Sequence, residues 1–127
     1  MDPKGTVKRQ EGAVRGFSLT VGQLAPDVVC VGLSGELDIS RALLLEQELR
    51  AVEASEPSMI VIDLSELDFV DSSGLARLIA AHRRAARSSW RLVLVEGSEV
   101  VQRLFSLSAL DKAFELVRCP EDALSLA

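Results

Sequence analysis

Val70-Asp71-Ser72-Ser73-Gly74-Leu75 places a carboxylate and two hydroxyls after an apolar run, Met59-Ile60-Val61-Ile62-Asp63-Leu64, and before a stretch of helical periodicity. A serine where a helix begins meets free backbone N–H groups and the positive end of the helix dipole. A phosphate on that serine is therefore tolerated by the fold. The same residues also make an ordinary helix cap, in which an Asp or Ser oxygen accepts a backbone N–H. The local pattern allows both readings. Asp38, in Gly35-Glu36-Leu37-Asp38-Ile39-Ser40, poses the same pair of alternatives. As an N-cap it contributes about 0.5–2 kcal/mol; as a site residue it holds a carboxylate at a strand's C-terminal end.

These residues need elements to hold them. Phe17-Ser18-Leu19-Thr20-Val21 alternates apolar and polar, which predicts a strand with one wet face at a sheet edge. Ala25-Pro26-Asp27 reads as a turn, and Val28-Val29-Cys30-Val31-Gly32-Leu33 as a partner strand in a hairpin, with Gly32 and Gly35 marking a bulge or close backbone approach. Ala42, Leu45, Leu49 and Val52 recur at helical spacing within residues 41–54. Glu56-Pro57-Ser58 ends that helix, and the run from Met59 to Leu64 is almost continuously apolar, as a strand covered on both faces must be.

From Ser72 the helical face is Leu75, Leu78, Ile79, His82 and Ala86, with Arg77, Arg83, Arg84 and Arg87 read as a solvated face. His82, the one histidine, reads as a packing residue at the face boundary. A buried strand over 90–95, an amphipathic helix over 100–107, a short strand over 114–117 and a proline-started helix over 120–126 complete the pattern. The order is β-β-α-β-α-β-α-β-α: an α/β fold with one mixed sheet, opening in an N-terminal hairpin and continuing in parallel strands joined by right-handed helical crossovers. Sites in such sheets collect at the C-terminal ends of parallel strands, where both Asp38 and Ser72 fall. Residues 1–16 are polar, without apolar period, and read as a flexible tail ahead of a single domain at 17–127.

Composition narrows the chemistry. A net charge of −5 argues against a phosphate-backbone binder, so no nucleic-acid partner is expected. Acidic residues interrupt the most apolar region and the start is no signal peptide, so no membrane insertion and a cytoplasmic location are expected. Cys30 and Cys119 fit reduced thiols. One histidine and two distant cysteines give no zinc spacing, and no glycine-rich nucleotide loop or nucleophile elbow is present. No metal, cofactor or catalytic residue is expected, and a small α/β enzyme at the strand rim lacks a visible base.

Three segments carry a family resemblance: Gly35-Glu36-Leu37-Asp38-Ile39, then Leu67-Asp68-Phe69-Val70-Asp71-Ser72-Ser73-Gly74-Leu75, then Leu107-Ser108-Ala109-Leu110-Asp111-Lys112-Ala113-Phe114 with Glu121-Asp122-Ala123-Leu124. In this order over residues 17–127 the sequence resembles the STAS domain and, within it, the anti-sigma factor antagonists. That resemblance implies a phosphoprotein of transcription regulation rather than an enzyme. An anti-sigma factor that is also a serine kinase would bind the unphosphorylated form, release its sigma factor, and phosphorylate Ser72, which switches binding off; a PP2C-type phosphatase would restore the serine. Asp38, Asp71, Ser73 and Gly74 would be the phosphosite's neighbours and partner-binding residues. The family also supplies the alternative of an unphosphorylated STAS subunit in a lipid-transport or signalling assembly.

Overall fold

The computed structural model describes residues 9–14 and 16–126. Six strands form one sheet in the order in which they occur: β1 (Arg9–Val14), β2 (Phe17–Ala25), β3 (Val28–Leu37), β4 (Met59–Val70), β5 (Arg91–Val95) and β6 (Glu115–Val117). β1, β2 and β3 pair antiparallel, and β3 to β6 are parallel neighbours. The crossovers are α1 (Ile39–Ala54), α2 (Ser72–Ala86) and α3 (Glu99–Leu107), the last followed by a 3-10 turn at Leu110–Lys112; α4 (Pro120–Leu124) closes the chain. This is the expected mixed α/β sheet with one strand more at its start.

Alternation along the strands sends side chains to two cores. On one face Leu19, Val31, Leu33, Ile60, Ile62 and Leu94 pack against α1, α2 and α3; on the other, Val28, Met59, Val61, Val93 and Val95 pack with Ala123 of α4. α1 buries Ala42, Leu45, Leu49 and Val52, the four residues its spacing picks out. Leu45 and Leu49 each contribute roughly 1.5–3 kcal/mol by leaving water. Among the described residues Cys30 and Cys119 form no disulfide; both are half-buried, with Cys30 packed beside the second core.

Four expectations need correction. The flexible-tail reading of residues 1–16 fails over Arg9–Val14, which form β1 on the outer edge of β2; residues 1–8 and 15 lie outside the described residues. Strand pairing is a main-chain interaction, so a segment without apolar period satisfies an open edge equally well. Phe17–Ala25 is accordingly flanked on both sides and is no edge strand. β4 runs past Leu64 to Val70, because its charged second half still pairs with β3 through Ser34↔Glu66, Gly35↔Leu67, Glu36↔Phe69 and Leu37↔Val70. Finally, Arg84 is not solvated: it makes a two-pronged ion pair with Glu53 (Nε to Oε1 and Nη2 to Oε2, both 2.8 Å) and reaches Glu46 at 3.0 Å, fastening α2 to α1. These carboxylates raise the Arg84 pKa, the bonded Glu53 most of all.

Gly35 and Gly74 allow the rim to form. Gly35 sits at φ +86°, a left-handed conformation that favours glycine, where the pairing of β3 with β4 shifts register; a Cβ there would fall on the Gly16 carbonyl oxygen, which accepts the Glu36 N–H at 2.8 Å. Gly74 lets the first turn of α2 lie close on the sheet, since a Cβ would stand 2.7 Å from Leu37 Cγ and 2.8 Å from Val70 Cγ2.

Candidate functional site

β3 and β4 end side by side, with Leu37 opposite Val70, and each runs straight into a helix. The starts of α1 and α2 therefore meet at one corner of the sheet, held together by main chain as well, for the Asp71 N–H donates to the Leu37 carbonyl at 3.1 Å. Asp38 and Asp71 occupy equivalent positions, both in extended backbone, both as N-caps.

Their side chains are engaged differently. Asp38 Oδ1 accepts from the Ser40 N–H at 3.0 Å and the Ser40 hydroxyl at 2.6 Å, and Oδ2 accepts from Arg41 at 2.8 Å. The Ser40 hydroxyl first of all holds this carboxyl below the usual aspartate range; dehydration opposes it, and the Arg41 charge and the Ser40 N–H add to the lowering. Asp71 Oδ1 accepts from the Gly74 N–H at 3.0 Å, while Oδ2 crosses to the Ile39 N–H of α1 at 3.2 Å. One carboxylate thus caps two helices.

Asp71 performs the capping, which leaves Ser72 free of it. Ser72 is the first residue of α2, it is exposed, and its hydroxyl makes no hydrogen bond with any described residue. Ser73 is half-buried beside it, and Gly74 is buried under the first turn. All five predicted site residues, Asp38, Asp71, Ser72, Ser73 and Gly74, come together at this corner. His82 does not: it lies further along α2 with its ring edge-on to Phe114 at 5.0 Å between centroids, the packing role read for it. Among the described residues no group of three or more His, Cys, Asp or Glu is placed to hold a metal ion, and no helix is long and apolar enough to cross a membrane.

Sequence reasoning missed the surface around the serine. Between the β4–α2 junction and α3 runs a groove of about 470 Å³ lined by the apolar Phe69, Val70, Leu75, Val100, Leu104 and Leu107 together with Asp71, Ser72 and Arg103. Val100 and Leu107 are 65% and 78% exposed, and so, near the start of α1, are Ile39 at 76% and Leu43 at 62%. Single exposed apolar residues are commonplace; several around one free hydroxyl form a patch of the kind that marks an interaction site. Val100 and Leu107, the two ends of the 100–107 stretch read as an amphipathic helix, were the available signal.

The family model described as Mlab, STAS domain, matches residues 22–118. The chain belongs to the STAS domain family. It is 37% identical over 98 residues to the anti-sigma-F factor antagonist RsfB of Mycobacterium tuberculosis, a match covering 77% of this chain and 80% of the relative. The crystal structure of an anti-sigma factor antagonist from Mycobacterium paratuberculosis superposes with a TM-score of 0.72 at 31% identity, over 98% of this chain and 95% of that one. SpoIIAA, the Bacillus cell fate determinant, in its phosphorylated form shares the fold at a TM-score of 0.66 and 21% identity, over 84% of this STAS chain and 96% of its own.

Proposed function

We propose that this STAS domain is an anti-sigma factor antagonist controlled by phosphorylation at Ser72, a regulatory binding protein and not an enzyme. The observation that carries the reading is the free Ser72 hydroxyl: both helix starts are capped by aspartates, and Ser72 is displayed without a structural duty next to an apolar groove. The names of the relatives support it. The unphosphorylated protein binds an anti-sigma factor that is also a serine kinase, with the groove and the exposed Ile39 and Leu43 as apolar contact and Asp38, Asp71, Ser73 and Gly74 framing the hydroxyl. Phosphorylation ends binding, and a PP2C-type phosphatase restores it.

Charge explains the direction of the switch. A phosphoserine brings about −1.5 to −2 charges. At the first position of α2 that charge meets the positive end of the helix, so the domain keeps its fold. In an interface fitted to a neutral hydroxyl, the same charge beside Asp38 and Asp71 strands desolvated oxygens, and a penalty of roughly 3 kcal/mol weakens binding more than a hundredfold.

The test is phosphotransfer. Wild type, Ser72→Ala and Ser73→Ala are incubated with ATP and the anti-sigma kinases encoded in the same genome, and intact masses are measured. One phosphate on wild type and Ser73→Ala, and none on Ser72→Ala, is the expected result. Folded protein that gains no phosphate from any of them would turn the reading to an unphosphorylated STAS subunit of a larger assembly.

A further inference from the structure

Arg103 of α3 and Ser72 of α2 line the same apolar groove. The arginine is exposed and has no ion pair or hydrogen bond with any described residue; Glu99, one turn before it on α3, does not engage it either. The other cations near this corner are committed or turned away. Arg41 is bound to Asp38. Arg77 lies four residues beyond Ser73, so along α2 it neighbours that serine rather than Ser72.

Building on the phosphorylation proposed above, we infer that Arg103 is the intramolecular receptor of phosphoserine 72. The carboxylate oxygens of Asp38 and Asp71, the latter lining the groove beside Ser72, already accept bonds from Ser40, Arg41, Gly74 and Ile39. They repel a phosphate placed beside them. On α3, lining the same groove, stands an unengaged guanidinium whose planar fork matches phosphate oxygens two at a time. The phosphate is thus drawn over the groove. A pair between residue 72 and residue 103 bridges Leu75 on one wall and Leu104 and Leu107 on the other, roofing the apolar contact surface with charge. Phosphorylation then acts twice, by setting a charge in the interface and by closing the groove with the chain's own arginine.

The experiment uses the full chain with phosphoserine installed at position 72 through the genetic code, so that no kinase is required. Phosphorus NMR follows the second ionisation of the phosphate in the wild-type background, in Arg103→Gln and in Arg77→Gln. An exposed charge pair of ordinary strength corresponds to roughly 0.2–0.7 pH unit, so Arg103→Gln is expected to raise the phosphate pKa by that amount and Arg77→Gln to leave it in place. The Leu107 methyl resonances should move on phosphorylation in wild type and not in Arg103→Gln. A phosphate that titrates identically with and without Arg103, or that responds to Arg77 instead, overturns the proposal. If the installed phosphate pairs with Arg103 while no kinase modifies Ser72 in the unmodified chain, the switch reading fails and the pairing stands.

Discussion

The two helix starts at the rim are built from nearly the same parts and do different work. Each has an extended aspartate as cap and a serine within the first two helical positions. At α1 the group is closed: Asp38, Ser40 and Arg41 satisfy one another within four residues. At α2 the aspartate spends its second oxygen on the neighbouring helix, and the Ser72 hydroxyl has no partner among the described residues. A hydroxyl becomes available for chemistry when the cap beside it has been assigned elsewhere. The aspartate that looks most like a catalytic neighbour is the residue that frees the serine from structural duty.

Substitutions at the two starts test this contrast. The largest loss is expected for Asp71→Ala, which removes the cap of α2 and the bond to Ile39 together: about 2 kcal/mol of unfolding free energy by urea titration, and more than for Asp38→Ala. A loss of only about 1 kcal/mol for Asp71→Ala, the worth of a cap alone, would mean that the crossing bond to Ile39 contributes little. Next come the serines. Ser40→Ala should cost about 0.5–1 kcal/mol, since it breaks a bond to a carboxylate, while Ser72→Ala should stay within about 0.5 kcal/mol of wild type. A marked loss at Ser72 would give that hydroxyl a structural role and weaken the phosphoacceptor reading.

The smallest effect is electrostatic. Because the folded state lowers the Asp38 pKa, its charge contributes stability that is fully present above the ordinary aspartate pKa near 4 and is lost as pH falls through the lower folded value. Asp38→Asn keeps a capping oxygen and removes the charge. Its stability difference from wild type should therefore be constant at neutral pH and shrink below about pH 4, as measured by urea unfolding at several pH values. A difference that grows on acidification would reverse the sign assigned to Asp38.

Local rules made most of this corner legible. The spacing of Ala42, Leu45, Leu49 and Val52, the aspartate before each helix and the apolar run into β4 are all contained within a few consecutive residues. What stayed hidden depends on partners distant in sequence. Arg84 looks like any surface arginine until the register of α1 sets Glu46 and Glu53 opposite it. Arg9–Val14 carry no strand pattern, because the edge of β2 supplies the reason for pairing. Whether Ser72 caps its helix could be decided only by finding the Gly74 N–H already bound to Asp71. The groove needed α3 laid next to the β4–α2 junction before Leu107 and Phe69 could be seen as parts of one surface.

The strand order has a consequence for how the chain comes together. Every strand pairs only with its neighbours in sequence, so during synthesis each new strand finds its partner already waiting. The corner that carries Asp38 and Ser72 is assembled from the first two crossovers, ahead of anything C-terminal to α2. α4 is the exception to this orderly growth. It returns from beyond β6 to lie over β2 and β4, so the packing of Ala123 with Val28, Met59, Val61, Val93 and Val95 waits until α4 has left the ribosome.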